Sequence, residues 1–102
     1  MNRTTRHHDY LMKHLKNPTE AASYLSAVME DGDIKFALKA IRNVVEAQGG
    51  MGELAPKTKL SRTTLYKTLS VDGNPEIKTL DRILRIYRIR IGFFPEEHRK
   101  AA

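Results

Sequence analysis

The side chains best suited to chemistry lie close together between Ala55 and Val71, a stretch with four basic residues and no carboxylate. A guanidinium such as that of Arg62 can bind guanine O6 and N7 with two hydrogen bonds. Thr63 can hydrogen-bond a base edge or pack on a thymine methyl, and Tyr66 and Lys67 suit phosphates or base edges. Because a carboxylate would repel phosphates, its absence favours a polyanionic partner.

Catalytic or metal-binding patterns do not occur in the sequence. The four histidines are scattered towards the two chain ends, and no Ser/His/Asp arrangement or metal-ligand spacing accompanies them. Gly49, Gly50 and Gly52 follow no strand pattern and are typical of a helix stop. Without cysteine there is no disulfide, thiolate metal site or cysteine nucleophile. We therefore expect no enzyme activity, no metal and no cofactor.

Length and charge place the chain among small, basic proteins. The chain has 102 residues, a formal net charge of +6 and a sequence pI near 9.8. Residues 51–102 carry 11 basic and 6 acidic groups, so most of the excess positive charge lies in that half. One domain, no bilayer span and a cytoplasmic location are expected.

Helix signals divide the first half of the chain. Residues 1–8 lack periodicity and are expected to form a flexible arm, followed by a short helical turn over 9–15. Asn17 is expected to cap the next helix, with Pro18 in its first turn and Glu20 bonding back to the cap. That helix should bury a face that includes Met29. Asp33 should cap a further helix, in which apolar residues recur at helical spacing from Ile34 to Val45.

Two short helical segments between about 51 and 70 predict a helix-turn-helix. Leu54, Ala55 and Leu65 should face the core, and Leu60 should anchor the turn. Ser61 is the expected cap of the second helix, whose outward face would then carry the basic and hydroxyl side chains. A second helix of this kind can lie in the major groove of DNA.

The C-terminal part combines a loop, a helix and a change of period. Residues 70–75 are rich in turn formers, and Thr79 is expected to cap a helix that ends near Tyr87. Residues 88–93 then alternate polar and apolar, which favours a strand that would pair with the same strand of a second subunit. The alternative is that the helix runs on and frays. Residues 94–102 are expected to form a polar tail.

The chain resembles the addiction-module antidote (antitoxin) proteins with a Cro/repressor-type helix-turn-helix, over roughly residues 9–92. Its most specific part runs from Leu60 to Pro75. The residues that carry the resemblance are Leu15-Lys16-Asn17-Pro18, Tyr24-Leu25, Glu30-Asp31-Gly32-Asp33, Leu60-Ser61-Arg62, Leu65-Tyr66-Lys67, Asp72-Gly73-Asn74-Pro75 and Thr79-Leu80.

This resemblance implies an all-α, five-helix DNA-binding domain over residues 9–93, with its motif at about 51–70 and a homodimeric assembly. It also implies a cognate toxin partner, often RelE/ParE-like, and repression of the antitoxin's own operon. Two residues depart from the family pattern. The turn usually has glycine where this chain has Lys59, which would then need a left-handed backbone. Pro56 removes one N–H from the first helix of the motif.

The sequence therefore predicts a sequence-specific antitoxin and autorepressor that reads a palindromic operator in double-stranded DNA. A toxin-binding module without operator binding and a solitary transcriptional regulator remain as alternatives. The expected DNA-binding residues are Lys57, Lys59, Ser61, Arg62, Thr63, Tyr66, Lys67 and Asn74.

Overall fold

A computed structural model describes residues 3–30 and 32–96, with side chains described from residue 6. Within these residues the fold is all-helical, as predicted. The helices are α1 Arg3–His14, α2 Pro18–Glu30, α3 Ile34–Ala47, α4 Met51–Thr58, α5 Arg62–Thr68 and α6 Ile77–Ile86. There are thus six helices in the described residues, one more than the resemblance implied, and no helix among them is long and apolar enough to cross a membrane.

The first helix corrects the expected arm. Residues 3–8 are helical and continue into the short turn predicted over 9–15. The nitrogen Nε2 of His8 lies 3.0 Å from Oε2 of Glu46 on α3. At the other end of α1, Nδ1 of His14 lies 2.6 Å from Oε1 of Glu20 on α2. These contacts, together with Leu11 and Met12 against the core, join α1 to its neighbours.

Local capping signals gave the starts of α2 and α3 correctly. Oδ1 of Asn17 accepts a hydrogen bond from the N–H of Glu20 at 3.1 Å, and Oδ1 of Asp33 accepts one from the N–H of Lys35 at 3.0 Å. The Glu20 side chain pairs with His14 and not with the cap, which corrects the predicted reciprocal bond. The helix stop at Gly49 is confirmed by its φ of 123°, which favours glycine.

The core is built around α3, which packs against α1, α2 and α4. Leu38, Val44 and Val45 of α3 are fully buried, and α4 in turn contacts α5 and α6. Two expectations about this core are wrong. Met29 at the end of α2 is 50% exposed, and Ile34 at the start of α3 is 54% exposed. Both lie in the terminal turns, beyond the part of the α2–α3 pair that the core covers.

The last helix starts and stops at positions that differ in part from the prediction. Glu76 occupies the N-cap position of α6, so Thr79 is inside the helix and does not cap it. The helix ends at Ile86 and does not run on.

The segment after α6 turns sharply. Arg88 has a φ of 65°, which is incompatible with a strand at this residue, and the N–H of Ile89 donates to the carbonyl oxygen of Leu84. The predicted strand over 88–93 is absent from the described part of this single chain. Phe93 and Phe94 are exposed, and residues 97–102 of the expected polar tail lie outside the described residues.

Candidate nucleic-acid interface

Helices α4 and α5 form the predicted pair of short helices joined by a tight turn. Leu54 and Ala55 of α4 are buried, as are Leu65 of α5 and Leu69 just after it. Each of these apolar side chains lies within the core cluster, so the inner face of α5 is fixed against the domain. Truncating such a leucine typically costs about 2–5 kcal/mol. The outward face of α5 is therefore held on a rigid base.

The turn between the helices has the backbone conformation that the family resemblance implied. Lys59 has φ 63° and ψ 26°, in the left-handed region that glycine would occupy without a steric cost. Its N–H donates to the carbonyl oxygen of Ala55 at 2.9 Å. The hydroxyl of Thr58 donates to the same oxygen at 3.1 Å and accepts from the N–H of Leu60 at 3.2 Å. These bonds hold a lysine in a conformation that is otherwise unfavourable.

Sequence reasoning missed two residues of this turn. Thr58 is the one buried polar side chain among the described residues, at 2% exposure. Arg82 of α6 donates from Nη1 to the carbonyl oxygen of Thr58 at 3.3 Å. A hydroxyl at a helix end is a local signal that could have indicated Thr58. Arg82 is distant in sequence and gave no such signal.

Pro56 lies in the C-terminal half of α4. The helix begins at Met51, so the missing N–H of Pro56 falls beyond the first turn, where the carbonyl of Gly52 would have received it. The helix nevertheless continues to Thr58. Its buried residues on both sides of Pro56 explain this, because packing of an apolar face stabilises a short helix more than a single backbone bond does.

The outward face of α5 carries four of the predicted side chains. All four are exposed: Arg62, Thr63, Tyr66 and Lys67. Arg62 is the first residue of the helix, and a Cβ added to Gly52 would lie 3.9 Å from its Cζ. The guanidinium of Arg62 thus lies beside the start of α4, at ordinary van der Waals distance from where a Cβ at Gly52 would be.

Ser61 caps α5 as predicted. Its hydroxyl oxygen accepts from the N–H of Thr64 at 3.0 Å and donates to Oγ1 of Thr64 at 2.9 Å. The cap uses a lone pair of the Ser61 oxygen, whereas a contact to a phosphate would use its O–H, which here donates to Oγ1 of Thr64. Ser61 thus caps the helix that begins at Arg62, and its contact to a phosphate stays a prediction.

The other predicted residues lie on either side of α5. Lys57 and Lys59 are exposed before it, and Asn74 is exposed in the loop after it. A Cβ added to Gly73 would lie only 2.8 Å from the carbonyl oxygen of Thr68 and 2.9 Å from that of Lys67. This close approach brings Asn74 to the C-terminal end of α5, while the lysines are at its N-terminal side.

The α4 helix carries one carboxylate, that of Glu53, which lies before the basic stretch Ala55 to Val71. The charge of Glu53 acts on Tyr87, a residue of the core. Burial raises the pKa of Tyr87 to about 12, and the Glu53 carboxylate adds a smaller effect in the same direction. Since Ala55 to Val71 contains no acidic residue, the exposed surface of the turn and of α5 carries only positive charges.

Comparison with known proteins gives one family and one relative. A family model described as "Probable addiction module antidote protein" matches residues 5–94. A protein of Haemophilus influenzae (strain ATCC 51907 / DSM 11121 / KW20 / Rd), described as an uncharacterized protein, is 28% identical over 78 residues. That alignment covers 76% of this chain and 79% of the relative. No solved structure matches the chain significantly.

Proposed function

Because the chain belongs to the family described as "Probable addiction module antidote protein", we propose that it is a DNA-binding antitoxin that represses its own operon and neutralises a cognate toxin. The family supports the antidote role and implies a toxin partner. DNA binding, autorepression and neutralisation of a RelE/ParE-like toxin are our proposals. In this proposal the protein acts by binding, in the cytoplasm, without a cofactor and without catalysis.

The observation that carries the DNA-binding proposal is the outward face of α5. Its four exposed side chains can all donate hydrogen bonds, and buried leucines fix the helix beneath them. Rigid positioning matters because a bidentate contact to a base edge tolerates little displacement. The absence of carboxylates from Ala55 to Val71 removes the repulsion that would oppose approach to phosphates.

The exposed residues divide into groups by proposed role. Arg62, at the end of α5 that enters the groove, reads a guanine, and Thr63 contacts a neighbouring base edge. Tyr66 and Lys67, one turn further along, contact phosphates or base edges. Lys57, Lys59 and Asn74 flank the helix and bind the DNA backbone.

We further propose that two copies read a palindromic operator. A two-fold dimer would present two α5 helices to half-sites about 34–36 Å apart, one turn of B-form DNA. One chain supplies one such helix, so a second copy is needed to read the second half-site of a palindrome.

The experiment that tests DNA binding is a fluorescence anisotropy titration with the DNA upstream of the gene, repeated across salt concentrations. Salt-sensitive and sequence-selective binding is expected. Lys67→Ala should weaken binding to all sequences and reduce the salt slope by about one unit. Lys39→Ala is the matched control, since it removes the same charge from an exposed position of α3. Equal salt slopes for the two variants would exclude Lys67 as a phosphate contact.

A toxin-binding module without operator binding is the second candidate, favoured by the unusual Lys59 and Pro56. The formed turn and the intact α4 weigh against it, because both residues are accommodated. In the same titration, this candidate predicts no selective DNA binding while co-expression still rescues growth from the toxin. A solitary regulator predicts the reverse: selective DNA binding and no growth-inhibiting protein encoded beside the gene.

A further inference from the structure

The end of α4 is held by a side chain of α6 that the DNA-binding proposal does not use. Nη1 of Arg82 donates to the carbonyl oxygen of Thr58 at 3.3 Å, across 24 positions of the sequence. Thr58 is the last residue of α4, so its carbonyl oxygen receives no hydrogen bond from within the helix. The helix dipole also favours a cationic donor at a C-terminus. Arg82 therefore fixes the point at which the chain leaves α4.

The side chain of Thr58 continues this link into the turn. Its buried hydroxyl accepts a hydrogen bond from the N–H of Leu60 at 3.2 Å. Leu60 directly precedes Ser61, whose hydroxyl caps α5. A path of hydrogen bonds and backbone thus runs from Arg82 through the turn to Arg62, the first residue of α5.

The packing of the helices leaves the start of α5 dependent on this path. Helix α4 packs against both α5 and α6, so α6 can act on α5 through α4 and the turn. The leucines that anchor α5 in the core, Leu65 and Leu69, both lie after Arg62 in the sequence. The N-terminal end of α5, where Arg62 lies, is consequently positioned by the turn that precedes it.

The second arginine of α6 shows that the function of Arg82 does not follow from charge alone. Nε of Arg85 pairs with Oδ2 of Asp81 at 3.0 Å on the exposed side of the helix. Within the residues that the structure describes, Arg82 forms no such ion pair, and its hydrogen bond is to the backbone of another helix. The two side chains have the same charge, but only Arg82 is joined to the turn.

We propose that Arg82 is a positioning residue for DNA discrimination, which sets the direction of Arg62 at the start of α5 without itself contacting DNA. The inference rests on the proposed DNA-binding function. A contact of two hydrogen bonds between a guanidinium and one guanine requires placement within about 0.5 Å. Without the Arg82 bond the turn has more freedom, so Arg62 loses this placement while the buried leucines still hold the helix.

The test compares two substitutions of Arg82. Arg82→Met keeps the aliphatic stem but has no donor, and Arg82→Lys restores one cationic donor. Arg85→Met is the matched control, because it removes the same charge from the exposed side of α6. In the free protein, hydrogen exchange of the Leu60 amide, followed by NMR, should be about threefold or more faster in Arg82→Met and unchanged in the other two variants.

The second readout is the affinity for the operator and for operators with single base-pair changes, from fluorescence anisotropy. Arg82→Met should lose about threefold or more of the discrimination at the guanine assigned to Arg62, and Arg82→Lys should restore it. In an Arg62→Ala background, Arg82→Met should cause no further loss, because Arg82 acts through Arg62. The salt slope should keep its wild-type value in both methionine variants, since neither arginine contacts a phosphate.

Circular dichroism checks that each variant is folded. Wild-type discrimination in Arg82→Met would overturn the proposal, and so would an equal loss in Arg85→Met, which would make the effect one of charge alone. A salt slope lowered by about one, with discrimination kept, would make Arg82 a phosphate contact and also overturn it. A wild type without selective DNA binding would contradict the proposed function itself, and Arg82 would then serve only the stability of the turn, whatever the Leu60 exchange shows.

Discussion

Arg82 of α6 donates a hydrogen bond to the carbonyl oxygen of Thr58, 3.3 Å away, at the end of α4. The last carbonyls of a helix have no donor within the helix, so this bond satisfies a group that would otherwise depend on water. The next residue, Lys59, has a left-handed backbone. Arg82 thus joins α6 to the turn that sets the direction of α5.

We expect Arg82→Ala to lower the free energy of unfolding by about 1 kcal/mol, through loss of a partly buried hydrogen bond. Arg85→Ala is the control, because Arg85 pairs with Asp81 on the exposed side of the same helix. Such an exposed pair contributes about 0.5 kcal/mol or less. Urea denaturation of both variants checks this. Equal losses of unfolding free energy in the two variants would mean that the Thr58 contact contributes no more to stability than the exposed pair of Arg85 and Asp81 does.

Replacing Lys59 should separate stability from DNA binding. Glycine relieves the left-handed conformation, so Lys59→Gly should raise the free energy of unfolding by about 0.5–1 kcal/mol. The same variant loses a proposed phosphate contact and should lower the salt slope of DNA binding by about one. Lys57→Gly is the control within α4, where glycine should destabilise by about 1 kcal/mol. Changes of the same sign in the free energy of unfolding of Lys59→Gly and Lys57→Gly would contradict this description of the turn.

Gly73, in the loop after α5, and Gly52, in α4, should respond in opposite ways to alanine. Gly73→Ala would bring a Cβ to within 3.0 Å of three backbone carbonyl oxygens, so it should destabilise the protein and displace the loop that carries Asn74. Gly52→Ala meets only ordinary contact with Arg62 and should be neutral or stabilising by up to about 1 kcal/mol. Thermal unfolding of both variants measures the difference. A Gly73→Ala protein as stable as wild type would show that the loop is not constrained as described.

Because of the buried Tyr87 side chain, we expect the protein to be less stable at alkaline pH. Its pKa is about 12 in the folded protein, above the usual value of 10, mainly because of burial. Because the pKa of Tyr87 is higher in the folded than in the unfolded protein, its contribution to the free energy of unfolding is present below pH 10. That contribution is lost as the pH rises towards about 12. Wild type should therefore lose more stability than Tyr87→Phe over this range, as followed by urea denaturation at fixed pH. Identical pH profiles would contradict burial of the phenol.

Local signals explain which parts of the fold the sequence could predict. Asn17, Asp33 and Ser61 cap helices through bonds to residues two or three positions away, and all three were predicted from residue type and spacing. Capping bonds of this kind are set by neighbouring residues, so a single sequence contains them. The left-handed Lys59 was expected for another reason, because the family that the chain resembles usually has glycine at this position.

Contacts between distant residues explain the rest. The N-terminal turns of α1 pack through His8 and Glu46, 38 positions apart, and the Arg82–Thr58 bond spans 24 positions. Ile34 has the spacing of a core residue, but it is exposed because no other helix packs over it in the described residues. Periodicity identifies an apolar stripe but does not tell how far along it the core extends.

The central claim is that α5 reads DNA through Arg62. The most direct measurement is the affinity of wild type and Arg62→Ala for the operator and for a set of operators with single base-pair changes. The account predicts that Arg62→Ala binds more weakly, by about 1–3 kcal/mol, and no longer discriminates at one guanine position per half-site. Unchanged affinity together with unchanged discrimination at every position would contradict it.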